Sequence, residues 1–243
     1  MKQGCFMVAG FALTCAFLVS PLAAQRSKVN YQAYFIDDFD GASEDQGLAW
    51  RAAGSKFITK GFPILKYFEG MPQAVRMAGS WQGKDKEARF IGVECKFNRQ
   101  GNNWLDLIPT KGGSDYEIPL RGVVSGFDVW VWGAGYQYSL EALVRDCTGR
   151  VHTLLIGNLD FQGWKNLSVS VPTHIPQTSR YLGSAQHLSF VGFRIRTSPS
   201  ERVDDFYVFF DQFKALANMH IDFTIDGHEL RNAQFKEEGE SAK

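Results

Sequence analysis

Asp37, Asp38 and Asp40 place three carboxylates within four residues, immediately ahead of Gly41. A fourth, Asp211, stands near the end of the last strong strand pattern. Calcium takes several hard oxygen ligands around one point, so an acidic turn joined by a distant aspartate supplies part of such a site. The same residues also suit a solvated turn, because an aspartate side chain hydrogen-bonds its own backbone two residues on. Both readings stand on the sequence: a structural Ca²⁺ site, or no cofactor at all. Other chemistry is absent. His152, His174, His187, His220 and His228 lack zinc-ligand spacing. There is no nucleophile elbow, no phosphate-cradling glycine loop and no dinucleotide fingerprint. Carboxylates are plentiful, but no pattern draws two of them to one cleft as glycoside hydrolysis requires. No catalytic residue is assigned, and the chain reads as a binding or structural protein.

Aromatic residues are the surplus feature: 20 Phe, 8 Tyr and 6 Trp. In Phe127-Asp128-Val129-Trp130-Val131-Trp132, strand alternation puts Phe127, Val129 and Val131 on one face and Asp128, Trp130 and Trp132 on the other. Three roles fit the tryptophans: core packing, a flat platform for sugar rings, or anchors in a protein interface. A second apolar concentration, Phe62-Pro63-Ile64-Leu65-Lys66-Tyr67-Phe68, lies between Gly61 and Gly70. Pro63 cannot donate to a central ladder, which makes this an edge or a loop. It either caps the open end of the fold or forms a docking surface. Trp130, Trp132, Phe62 and Tyr67 are the candidate contact residues.

The elements that must position these groups are strands. Tyr136–Ala142 alternates apolar and polar residues, as does 89–98, with Ile91, Val93, Cys95 and Phe97 inward. Leu167, Val169 and Val171 follow the same period, and so do Val191, Phe193 and Ile195. Further strands are expected at 33–39, 73–78, 104–108, 117–120, 123–132, 151–157 and 205–213. Gly133-Ala134-Gly135 reads as a three-residue hairpin loop; Thr148-Gly149 and Asn98–Gly101 read as further turns. Many short strands with little helix predict an all-β fold: an antiparallel β-sandwich of the jelly-roll, carbohydrate-binding-module-like kind. Gln177–Leu182 is a short helical candidate.

Lys2, the apolar run Gly4–Val19 and Pro21-Leu22-Ala23-Ala24 form a secretory signal peptide, 1–24. The apolar run is shorter than the ~20 residues of a spanning helix. A single domain is expected over 25–227, followed by a charged tail, 228–243, as a frayed helix or disordered segment. Lys and Arg total 26 against 26 Asp and Glu, which leaves no basic footprint for nucleic acid. No membrane insertion of the mature chain is expected. Outside the leader the cysteines are Cys95 and Cys147. In an oxidising compartment they are a candidate disulfide; Cys95 equally fits a small buried core position.

The run Gly126–Gly133 with Tyr136–Asp146, the segment Gly163-Trp164-Lys165-Asn166-Leu167 leading to Val171-Pro172, and the blocks Phe190–Thr197 and Phe206–Gln212 resemble the spirochaete flagellar filament outer-layer (sheath) proteins, the FlaA family. The resemblance covers about 120–213, with a looser echo at 34–50, and is closer to the shorter paralogues. It implies a periplasmic structural subunit that coats a flagellin core and sets filament shape and stiffness for motility. The implied partners are core flagellin and other sheath proteins. The alternative is a periplasmic carbohydrate-binding module using the same aromatic residues to bind a glycan.

Overall fold

The computed structural model describes residues 29–40, 47–78, 88–178 and 188–219. The signal peptide, the tail 228–243, Gly41 and residues 179–182 of the helical candidate lie outside them. The described residues form thirteen strands and one short helix, arranged as two packed antiparallel sheets. Among them, no helix is long and apolar enough to cross a membrane.

The first sheet runs β11(Gln162–Ser170), β8(Val123–Ala134), β13(Phe206–Asn218), β4(Arg89–Cys95), β3(Ile64–Glu69), with β1(Tyr31–Asp37) also paired to β13. The second runs β10(Val151–Asn158), β9(Ser139–Arg145), β12(Ser189–Arg196), β5(Trp104–Lys111), β2(Leu48–Gly54). Two short strands flank it: β6(Ser114–Asp115) on β5 and β7(Ile118–Pro119) on β12.

Period-two patterning explains which side each strand buries. In β9, Leu140, Ala142 and Val144 are buried while Ser139, Glu141, Leu143 and Arg145 are half-buried. In β8, Phe127, Val129 and Val131 face inward. The space between the sheets is filled largely by phenylalanines from both. Phe190 and Phe193 of β12 lie 4.6 and 4.8 Å, centroid to centroid, from Phe213 of β13. Phe193 also stacks on Phe210 at 5.3 Å. Aromatic contacts of this geometry add to the burial of large apolar area, so this cluster holds the layers together.

Four expectations are corrected. Residues 73–78 are not a strand: Gln73–Met77 forms α1, following Pro72. Gln, Ala, Arg and Met are good helix formers and carry no alternation. Gly133-Ala134-Gly135 is not a hairpin loop, because β8 and β9 belong to different sheets. It is an arch that carries the chain across the core, and Gly133 is needed there: a Cβ would stand 2.6 Å from the Phe161 carbonyl oxygen. The arch is fixed by Tyr136 and Tyr138, whose hydroxyls donate to the carbonyls of Asp204 and Arg202 at 2.6 and 2.7 Å. Asn98–Gly101 likewise links β4 of one sheet to β5 of the other. Cys95 in β4 and Cys147 in the β9–β10 turn are separate, buried thiols instead of a bridge. β2 adds a strand that the alternation did not mark.

Candidate functional site

The four aspartates hold structure together. Asp37 is 4% exposed; its Oδ1 accepts the Phe39 N–H at 2.9 Å and its Oδ2 accepts the Trp50 indole N–H at 2.7 Å. That second bond ties the end of β1 in one sheet to β2 in the other. Asp38 Oδ1 accepts the Asp40 N–H at 3.2 Å, and Asp40 Oδ1 accepts the Arg89 N–H at 2.7 Å. Asp211, 3% exposed, is held protonated through neutral pH: burial, then the nearby charge of Asp40 with a smaller contribution from Asp38, pushes its pKa up to about 8. Among the described residues, no three acidic, histidine or cysteine side chains meet closely enough to hold a metal ion.

The candidate contact residues divide. Trp130 and Trp132 lie half-buried on the outer face of the first sheet, with Asp128, and Trp132 also packs against the core. Tyr67 takes the opposite face: it pairs with Ile91, packs against the core and has the Arg89 guanidinium 5.3 Å from its ring centroid. Phe62 is half-buried just before β3, its N–H donating to the Thr59 carbonyl at 3.0 Å. Neither joins the tryptophans. The segment that carries them does form an edge strand, β3, which among the described residues pairs with β4 alone.

Trp132 instead meets a set of rings that the sequence reading did not assemble. Cross-strand register brings Trp164 of β11 opposite Trp132 of β8, Trp132 opposite Phe209 of β13, Phe209 opposite Gly92 of β4, and Phe90 of β4 opposite Phe68 of β3. Phe209 is the hub. Its ring lies 5.4 Å from Phe68, 5.6 Å from Phe90, 5.7 Å from Trp132, 5.9 Å from Tyr207 and 6.4 Å from Trp164. Trp132 stacks on Tyr207 at 5.1 Å, and Phe68 stacks on Phe90 at 5.5 Å. Six rings thus form one continuous plate across five strands, a width of about 20 Å at the usual strand spacing.

Gly92 makes room for these rings. A Cβ there would stand 2.5 Å from Phe209 Cδ1 and 2.7 Å from Phe68 Cε2. Beside it is a shallow hollow of about 260 Å³ edged by Ile64, Lys66 and Glu94. The rings are not hidden: Tyr207 is 41% and Phe68 39% exposed. Apolar exposure continues along the same face through Phe35 and Leu216. The face of the second sheet is different in kind. There Arg194 grips Asp106 with two bonds of 2.6 and 2.7 Å, Arg196 holds Glu141 at 2.9 Å, and Arg51 holds Asp115 at 2.6 and 2.7 Å. One face carries the aromatic cluster; the other carries these ion pairs, with Val151 and Leu155 exposed beside them. Exposed apolar patches are a common feature of contact surfaces.

Comparison with known proteins places these features. A family model described as flagellar filament outer layer protein FlaA matches residues 28–225. A flagellar filament outer layer-like protein of Brachyspira hyodysenteriae is 26% identical over 189 residues, covering 78% of this chain and 80% of that one. The flagellar filament outer layer protein of Borreliella burgdorferi is 28% identical over 114 residues, covering 42% of this chain and 33% of that longer protein. Among solved structures, the family 11 carbohydrate-binding module of a Clostridium thermocellum cellulosomal cellulase aligns over 81% of this chain and 99% of its own, at 11% identity and a TM-score of 0.42.

Proposed function

Because the chain belongs to the family of flagellar filament outer layer proteins, FlaA, we propose that it is a structural subunit of the sheath of a periplasmic flagellum, laid aromatic face inward against the filament. One observation carries this orientation: the six-ring cluster is left half-exposed on one sheet, while the ion pairs Arg194–Asp106, Arg196–Glu141 and Arg51–Asp115 stand on the other. A lone soluble domain gains nothing from Trp132, Tyr207 and Phe68 in that position. A coat subunit does, since large rigid aromatics are the side chains that dominate interface energetics.

The partners are core flagellin and neighbouring sheath proteins. Each contact can be modest, because subunits along a filament are held at high effective concentration and many weak interfaces act together. Binding there sets filament shape and stiffness, and no catalytic group is required. The test is co-sedimentation with isolated filaments of a variant carrying Phe68→Ala, Trp132→Ala and Tyr207→Ala. Thermal melting of the triple variant checks that it is folded before it is sedimented. The variant stays in the supernatant, whereas Arg196→Ala on the opposite face sediments like the parent. Equal sedimentation of the triple variant removes the proposal.

A further inference from the structure

The second sheet opens in one place. Strands β5 and β12 pair only from Leu107 and Phe193 to Trp104 and Arg196. Beyond that point Ser189 and Phe190 of β12 turn to β7, while Thr110 and Lys111 of β5 turn to β6. On its other side, β12 carries a bulge between Phe190 and Gly192 in its pairing with β9. The result is a hollow of about 270 Å³ on the outer face, remote from the aromatic plate and on the opposite sheet.

Its lining is specific. Ile108 and Val191 give an apolar floor and Tyr116 an aromatic wall, with Asp106, Asp115 and Glu117 around them. Each carboxylate is fixed by its own guanidinium: Asp106 by Arg194 at 2.6 and 2.7 Å, Asp115 by Arg51 at 2.6 and 2.7 Å, Glu117 by Arg145 at 2.8 to 3.0 Å. Two-pronged pairs of this kind hold both partners in a set geometry. Arg194 lines the hollow with its carboxylate, while Arg51 and Arg145 hold Asp115 and Glu117 from outside the lining, so every carboxylate there carries its own counter-charge. The hollow thus offers acceptors from three carboxylates and a donor group in the Arg194 guanidinium.

From this we infer that the hollow binds a neutral, polyhydroxylated ring: an uncharged sugar unit. Each hydroxyl of such a ring both donates and accepts, and so can meet the carboxylates and the Arg194 guanidinium alike. Its C–H face is apolar enough to lie on Tyr116 and the Ile108–Val191 floor. A small number of placed polar groups over an apolar floor is the ordinary build of a small-molecule site. This site is independent of the sheath reading, which uses the other sheet.

The experiment follows the arginine Nε–H signals and the backbone amides of Tyr116 and Gly192 by two-dimensional ¹H–¹⁵N NMR. Cellotetraose, maltotetraose and chitotetraose are added separately, up to about 10 mM, enough to detect a millimolar Kd. At least one of these shifts Arg194 Nε–H and the Gly192 amide saturably. Trigalacturonate and a glucosamine tetramer, the charged counterparts, do not. Tyr116→Ala weakens the response about tenfold or more. Val191→Lys, a half-exposed change that sets an unpaired charge on the floor, abolishes it even if Tyr116→Ala perturbs the loop. Trp132→Ala, on the other sheet, leaves the sugar response whole whatever it does to filament binding. Silence with all three neutral oligosaccharides, or a stronger response to a charged one, overturns the assignment.

Discussion

Replacing Gly92 with alanine adds one methyl group and tests the plate without deleting any of its rings. The new Cβ would stand 2.5 Å from Phe209 and 2.7 Å from Phe68, where van der Waals contact needs about 3.4 to 4 Å. Both rings must withdraw by about 1 Å, and Phe209, which touches five others, takes the plate with it. Two effects on stability oppose each other. Alanine in a strand is favoured over glycine by roughly 0.5–1 kcal/mol. Crowding a packed site costs about 1–3 kcal/mol. The net loss is about 0–2 kcal/mol, which moves Tm by no more than about 8 °C in a domain of this size. Contact through the plate suffers more: displacing a central aromatic anchor costs about 2 kcal/mol or more, roughly a thirtyfold drop in affinity. Near-ultraviolet circular dichroism reports the moved rings, thermal melting reports the fold, and co-sedimentation with filaments reports the contact. If the dichroism changes and sedimentation does not, the plate is not the contact surface.

Other outcomes follow from the buried polar groups. Asp211 has a folded pKa raised to about 8 from its ordinary 3.8. The folded state therefore keeps a proton that the unfolded chain releases, and the associated stability is full below the unfolded pKa and lost as pH rises toward the folded one, by at most about 1.4 kcal/mol per pH unit. Tm should fall between about pH 5 and pH 8 in the parent and fall less steeply in Asp211→Asn, which is the more stable of the two at the alkaline end. Parallel curves would refute this. Trp50→Phe removes the indole N–H that Asp37 accepts at 2.7 Å and should cost about 1.5–3 kcal/mol in denaturant unfolding. A change under about 0.5 kcal/mol would show the bond to be incidental. Burial pushes the Cys95 thiol up to about 12, so it should resist alkylation in the folded protein and react only on unfolding. Labelling of the native protein at Cys95 would contradict its placement.

The inward residues of β4, β8 and β9 were legible because one-sided burial writes itself as strict alternation. Ile91, Val93, Phe127, Leu140 and Val144 all lie where the period puts them. β2, Leu-Ala-Trp-Arg-Ala-Ala-Gly, was not legible, since alanine and glycine carry no contrast between faces. The arch at Gly133–Gly135 was misread because loop length alone does not say whether the next strand pairs alongside or crosses to the other layer. Alternation correctly separated Trp130 and Trp132 from Phe127, Val129 and Val131, yet which side faces water depends on the packing of the second sheet. The plate was least legible of all. Phe68, Phe90, Trp132, Trp164, Tyr207 and Phe209 come from five strands scattered along the chain, and only register makes them neighbours. The local signals were Trp130-Val131-Trp132 and Tyr207-Val208-Phe209, where both alternate positions are aromatic. Opposite-face placement of Tyr67 follows from the same parity, one residue off Phe68.

The most direct test is hydroxyl-radical footprinting of the chain, free and assembled on native filaments. Side chains buried in a contact lose oxidation rate on assembly. The account predicts strong protection of Phe68, Trp132 and Tyr207, with Trp104 on the ion-paired sheet changing little. Protection of the second sheet, with the aromatic plate oxidised as fast on the filament as in solution, would contradict it.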